Sequence, residues 1–243
     1  MTLRTRFQTA VSLIYPARCL NCGGLVESDF GLCSACWRDT SFISGLVCHS
    51  CGVPVPGEDD GQIVRCDDCL QTPRNWQQGR AAIIYSGQGR RLVLALKHGD
   101  RTDLVRPASA WMGRAAADLL TNDPLIVPVP LHWTRLVRRR YNQSALLAQA
   151  LAAREGQDCC PDALIRSLQT PMLEGRSRDE RMTILRDAIR PHPRMGCRMQ
   201  GREVLLVDDV MTSGATLSAC ASACTAAGAA SVNVVVLARV TAA

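Results

Sequence analysis

From residue 77 onward, short apolar runs alternate with longer stretches of helical periodicity. "AAIIYS" (81–86) has the continuous apolar texture of a buried strand, "GQG" (87–89) reads as a turn, and "RRLVLALKHG" (90–99) as the start of a helix. "DLVRPASAWMGRAAADLL" (103–120) continues helically, with Pro107 tolerable only near an end. "LIVPVP" (125–130) predicts a strand and 142–154 a helix with Leu146, Leu147 and Leu151 on one stripe. "ALIRSL" (163–168) predicts another strand, and a polar, arginine-rich stretch follows from Thr170 to Arg202. Val204 to Val207 is a short, continuous apolar run with a β-branched residue at each end, and Asp208 and Asp209 end it. An alanine-rich helix to about Ala227 and a last strand in "SVNVVVLA" (231–238) complete the pattern. Strand–helix alternation of this kind predicts an α/β fold, a mostly parallel sheet with helices on both faces.

The first 76 residues have another texture. They hold four Cys-x-x-Cys pairs: Cys19/Cys22, Cys33/Cys36, Cys48/Cys51 and Cys66/Cys69. Gly, Pro and Asp surround them with little periodicity, so this region cannot build a conventional core. Each pair presents two thiolates from one tight knuckle, and two knuckles complete a tetrahedron around Zn²⁺. Four knuckles predict two structural zinc sites, whose thiolate bonds supply the folding free energy that the loops lack. Sequential pairing is the simplest arrangement, and a cross-braced one is the alternative. His49 lies inside the third knuckle and is expected only at the surface. The other five cysteines, Cys159, Cys160, Cys197, Cys220 and Cys224, lack such spacing, and the last two are expected in the core. The chain is therefore divided into 1–76, a double zinc-finger-like region, and 77–243, an α/β domain.

Composition sharpens this division. Of 28 cationic residues only Lys97 is a lysine. Residues 1–76 carry six Arg against eight acids, whereas 77–243 carry twenty-two cations against fourteen acids. A polyanionic or phosphate-rich partner belongs to the second part. The anionic tetrathiolate sites make the first part still more negative, which argues against a finger that grips DNA phosphates. Apolar runs are broken well short of a membrane span, "VSLIYPA" is too short for a secretory segment, and thirteen cysteines suit a reducing, cytoplasmic setting only if most bind metal.

The stretch "VLLVDDVMTSGAT" (204–216) carries the chemistry. A core element has no use for two adjacent carboxylates at a strand end. The lysine of a Walker A loop is missing, and "GQGRRL" lacks the third glycine of a dinucleotide fingerprint. Met211, Thr212, Ser213, Gly214, Ala215 and Thr216 instead open a helix with free backbone N–H groups and small hydroxylated side chains, a cradle for a phosphate monoester. Carboxylates one turn earlier face what the phosphate is attached to. A ribose 5-phosphate fits, with its 2- and 3-hydroxyls on Asp208 and Asp209.

All thirteen positions of that stretch agree with the signature of type I phosphoribosyltransferases, which use 5-phosphoribosyl-1-pyrophosphate (PRPP). More narrowly, with "LALKHGDR" (94–101), "VPVPLHWTRLVRRRYNQS" (127–144) and "RSRDER" (176–181), the whole chain resembles the ComF family. Those proteins join a cysteine-rich zinc region to a phosphoribosyltransferase-like domain, and some members are linked to DNA uptake in natural transformation. The resemblance implies PRPP binding with Mg²⁺ and, if catalysis occurs, displacement of pyrophosphate by an unknown acceptor while Asp208 and Asp209 stabilise the developing cation. It matches Arg135 and Arg139 to the family's arginines, Asn142 and Gln143 to its amide pair, and Lys97 to its lysine. Arg140 stands where many members have Gly. Arg135, Arg138, Arg139 and Arg140 together supply a positive field for pyrophosphate, or else a solvated or DNA-facing surface.

The resemblance also makes the segment 171–202 either a lid over the site, with Arg176, Arg178 and Arg181 as its candidates, or a solvated surface stretch. Leu173 and Ile184 depart from the family's Gln and Asn. Because the chain stops soon after its last strand, the zinc region is the one sizeable candidate for a hood. The rival function is a non-catalytic accessory protein that grips single-stranded DNA with the arginine-rich face, although few aromatic side chains are present for stacking.

Overall fold

The computed structural model describes residues 16–98, 101–167 and 188–241. Four parallel strands form the central sheet: β1 (Gly79–Ile84), β2 (Leu125–Pro128), β5 (Glu203–Met211) and β6 (Ser231–Arg239). Their order is β1-β6-β5-β2. Parallel pairing puts every carboxyl end on one edge, where open α/β sheets collect ligands. Strand β5 is longer than its apolar run. It continues through the acidic pair because β6 stays beside it, with Asp208 opposite Val236 and Met211 opposite Arg239. On its other side β2 stops at Pro128, opposite Val207. Pro128 and Pro130 cannot donate to a ladder, so that flank loses its neighbour one residue before Asp208.

Both faces of the sheet are covered. Val204, Leu206, Val234 and Val236 pack against α7 (Ala215–Ala226), whose Cys220 and Cys224 lie fully buried in this layer. Burial pushes the Cys224 thiol up to about 12 and Cys220 well above its ordinary value. Leu205, Val207, Val235 and Leu237 face α3 (Gly87–His98), α4 (Val105–Ala115) and α6 (Gln143–Glu155), through Leu96, Met112, Leu147 and Leu151. Each such side chain contributes about 2 kcal/mol when fully buried. The expected turn at 87–89 is instead the first turn of α3, and Pro107 sits in the first turn of α4, where no helical hydrogen bond is lost. A further correction concerns "ALIRSL". Leu164–Arg166 (β3) is not in the main sheet but pairs antiparallel with Ile189–Pro191 (β4). Part of the polar stretch ending at Arg202 is thus ordered as β4 and a short turn of helix at Gly196–Met199.

The cysteine-rich region adds two short helices, α1 (Ser34–Asp39) and α2 (Asp67–Gln71), each placed just after a cysteine. It does not stand apart from the sheet. Ile43 donates to the Ala82 carbonyl at 2.9 Å and Ile84 to that of Ser41 at 2.8 Å, so the segment at 41–43 covers the outer edge of β1. Cys48, Cys51, Cys69 and Trp76 belong to the same apolar cluster as Val234 and Val236. The contact is close enough to need glycine: a Cβ on Gly79 would meet the Ser50 carbonyl oxygen at 2.6 Å. Among the described residues no helix is long and apolar enough to cross a membrane.

Candidate functional site

Past the end of β2, the flank of β5 is filled by polar groups from helix ends. The hydroxyl of Ser144, in the first turn of α6, donates to Asp208 Oδ1 at 2.7 Å, and the Asp209 N–H donates to the same oxygen at 2.9 Å. Lys97, near the end of α3, puts its ammonium 3.1 Å from Asp209 Oδ1. Burial first, then the charge of Asp209, raises the Asp208 carboxyl to about 7, against the opposing pull of Ser144, Lys97 and the Asp209 N–H. Both acids therefore meet at the carboxyl edge as expected, but neither stands alone there. Asp209 is only 7% exposed, and these three donors occupy one oxygen of each carboxylate. A carboxylate offers about four acceptor positions, so capacity for a diol remains.

Two neighbouring amides, Asn142 and Gln143, explain how Ser144 and Lys97 are held. Asn142 caps α6 through its side chain, which accepts from the Ser144 N–H at 3.1 Å, and it donates to the Val129 carbonyl at 3.0 Å. Gln143, buried at 2%, donates to the Lys97 carbonyl at 3.3 Å. Tyr141 donates to the carbonyl of Leu96 at 3.0 Å. These side chains fix the relation of three elements around the acids.

After Met211, whose side chain is buried in the core, the chain leaves the sheet and turns into α7. Gly214 is the N-cap at φ +80°, and a Cβ there would meet the Trp76 ring at 3.0 Å. The first N–H groups of α7 have no acceptor within the helix, and the dipole adds positive potential. Thr212 is exposed, Ser213 and Thr216 are half-buried, and Ala215 is buried, so Ala215 can offer only its main chain. Arg239, buried at the end of β6, donates to the carbonyls of Met211 at 3.2 Å and Thr212 at 2.8 Å. Neither Arg239 nor Ser144 was legible as a site residue. The one signal for Ser144 was its place two residues after a capping Asn.

The arginine run forms α5 (Trp133–Arg139), opened by His132, whose ring accepts from the Thr134 N–H. Arg139 donates to Gln143 Oε1 at 3.4 Å. Arg140 ends the helix at φ +66°, a left-handed conformation that suits Gly better than a side chain with a Cβ. Trp133 is 67% exposed, whereas Trp111 is in the core. The side chains of Arg135 and Arg138, and the lid candidates Arg176, Arg178 and Arg181 with Leu173 and Ile184, lie outside the described residues.

Both metal sites assemble in the sequential pairing. The sulfurs of Cys19, Cys22, Cys33 and Cys36 lie within 4.8 Å of one another, as do those of Cys48, Cys51, Cys66 and Cys69. Cys22 to Cys33 and Cys51 to Cys66 are each 3.7 Å apart. A tetrahedron with Zn–S bonds of about 2.3 Å has edges of about 3.8 Å, so the four thiols of each group fit Zn²⁺. The N–H groups of Cys33 and Cys66 donate to the sulfurs of Cys19 and Cys48, both at 3.3 Å. His49 is half-buried rather than at the surface and belongs to neither group.

Two known domains match parts of this chain. The double zinc ribbon domain matches residues 10–70 and the phosphoribosyl transferase domain residues 128–243. The DNA utilization protein YhgH of Escherichia coli K12 is 31% identical over 234 residues, which cover 93% of this chain and 99% of that protein. Competence protein F of Haemophilus influenzae is 28% identical over 207 residues, covering 83% and 87%. A hypoxanthine phosphoribosyltransferase structure from Staphylococcus aureus superposes at a TM-score of 0.36 with 14% identity, over 57% of this chain and 64% of that one. So loose a likeness adds nothing to the two domain matches.

Proposed function

Because the chain belongs to the ComF family, in which a double zinc ribbon precedes a phosphoribosyltransferase domain, we propose that it binds PRPP at the carboxyl edge of β5. The observation that carries this reading is the sequence of groups along one short piece of chain. Asp208 and Asp209 sit where β2 has ended, and three residues later Thr212 begins a turn into the N-terminus of α7. The amides and hydroxyls of residues 212–216 receive the 5-phosphate. The acids accept the ribose hydroxyls, and a cation forming at C1 is stabilised by their charge. Lys97, Arg135, Arg139 and Arg140 take the pyrophosphate end.

Mg²⁺ fits as a companion of PRPP rather than as a resident ion. The acids are engaged with Lys97 and Ser144, so this ion would draw most of its oxygens from pyrophosphate and ribose. Asp208 and Asp209 would orient the diol that shares it. Among the described residues no side chain stands out as a general base for an acceptor, and the transferase step is therefore assigned only to the class of phosphoribosyl transfer with loss of pyrophosphate. The zinc region, divided from the transferase-like domain near residue 76, forms part of the hood. Support comes from Trp76 and Arg74, which press against residues 213 and 214. Reduced zinc thiolates in such number suit the cytoplasm.

A second reading is favoured by the relatives' names and by Trp133. An exposed Trp on an arginine-bearing helix is a stacking platform for single-stranded DNA. Calorimetry separates the two. PRPP with Mg²⁺ should bind the wild type with affinity that survives moderate salt, and binding should vanish in Asp208→Asn/Asp209→Asn. An oligonucleotide bound through phosphates loses affinity steeply with salt and ignores those two substitutions. Saturable DNA binding with no heat from PRPP would overturn the leading reading.

A further inference from the structure

We propose that Arg74 is a positioning residue that ties the second zinc site to the loop at 212–216; its consequence for ligand binding rests on the phosphate reading of that loop. The Arg74 side chain is 1% exposed and spends its donors in three directions. Nε donates to the Cys69 sulfur at 3.2 Å, Nη1 donates to the Ser213 carbonyl at 2.7 Å, and Nη2 engages the Asp68 carboxylate. Its guanidinium also lies over the Trp76 ring, 5.6 Å from the centroid, and Trp76 is itself pinned by its N–H to the Ser50 carbonyl at 2.6 Å. One planar fork therefore joins a zinc ligand to the main chain of the loop, a task a single ammonium cannot perform.

The geometry of the peptide unit gives this contact its consequence. In a planar trans peptide the C=O of one residue and the N–H of the next point in opposite directions. Arg74 pulls the Ser213 carbonyl toward the ribbon, so the N–H of Gly214 is turned away from it. Arg239 does the same from the sheet side, drawing the Thr212 carbonyl and so turning the Ser213 N–H. Two guanidinium groups from separate parts of the fold thus set successive amides of the loop. A Zn²⁺ with four thiolates carries a net negative charge, which holds Arg74 in place more firmly than neutral thiols could. Filling the second Cys₄ site is in this way coupled to the shape of the loop.

Amide hydrogen exchange of Ser218 reads the tether directly, because its N–H is bonded to the Gly214 carbonyl at 2.8 Å and is freed when the loop opens. In full-length Arg74→Gln, exchange at Ser218 should be about tenfold faster while the amides of β6 keep their protection and zinc stays at two per chain. Arg74→Lys should not restore the wild-type rate. Cys66→Ser, which disables the second zinc site, should speed Ser218 in the wild-type background and add nothing to Arg74→Gln. Ribose 5-phosphate should bind Arg74→Gln about tenfold more weakly. Unchanged Ser218 exchange in Arg74→Gln and Arg74→Lys, with zinc retained, overturns the proposal. Failure of ribose 5-phosphate to bind the wild type counts instead against the phosphate reading, since the exchange rates decide the tether by themselves.

Discussion

The ammonium of Lys97 lies 3.1 Å from Oδ1 of Asp209, joining the end of α3 to the carboxyl end of the signature strand β5. It is the only lysine in a chain of arginines, and it faces a carboxylate that is almost fully buried. Removing it leaves that charge without its partner. Lys97→Met should therefore destabilise the fold by on the order of 2–3 kcal/mol, read from urea unfolding. Adding Asp209→Asn should recover most of the loss. Additive effects of the two substitutions would contradict the pairing.

The Asp208 carboxyl, raised to about 7 by burial and by the charge of Asp209, gives stability a particular slope. An unfolded Asp titrates at about 3.9, so between these values the folded state binds the extra proton. Stability falls as pH rises through this window and levels off above it. Relative to the wild type, Asp208→Asn should gain on the order of 2 kcal/mol between about pH 5 and pH 8 in paired denaturation curves. Donation from a ribose diol favours the ionised carboxyl, so PRPP affinity should rise across the same interval.

Arg140 separates stability from binding. A non-glycine residue in the left-handed region costs about 1 kcal/mol. Arg140→Gly should raise the thermal midpoint by a few degrees for a domain of this size and at the same time weaken PRPP binding through the lost charge. A variant that is stabilised with unchanged affinity would remove Arg140 from the pyrophosphate set.

The zinc region is built into the core, and this sets the outcome of truncation. A fragment of residues 77–243 loses Trp76, the buried cysteines of the second site and the segment that covers the edge of β1. Such a fragment should melt well below the full chain and self-associate through the bared edge. Analytical ultracentrifugation and circular dichroism would check this, and metal analysis of the intact chain should return two zinc per chain. A monomeric fragment with the full chain's midpoint would contradict the shared core.

Much of this architecture could be read from the chain. Val204 to Val207 announces a buried strand by composition alone, and eight cysteines in four equal spacings announce two metal sites. The strand's true end could not be read, because β5 runs to Met211 only since β6 continues next to it. The acids likewise could be found, but not their partners. Ser144 is 64 residues from Asp208 and Arg74 is 139 residues from Ser213, and no periodicity links positions so far apart. Arg239 lies one residue past the strand read at 231–238; only the observed strand, which places it opposite Met211, shows that its head reaches the Met211 and Thr212 carbonyls. "ALIRSL" has strand texture, yet composition cannot tell a sheet strand from a small antiparallel pair.

The position of a bound sugar phosphate decides between these outcomes most directly. A crystal of the full-length protein grown with ribose 5-phosphate and Mg²⁺ should show the phosphate within hydrogen-bonding distance of the amides of residues 213–216, with the 2- and 3-hydroxyls on Asp208 and Asp209. A phosphate bound elsewhere, with both carboxylates still turned to Ser144 and Lys97 alone, would contradict the PRPP reading.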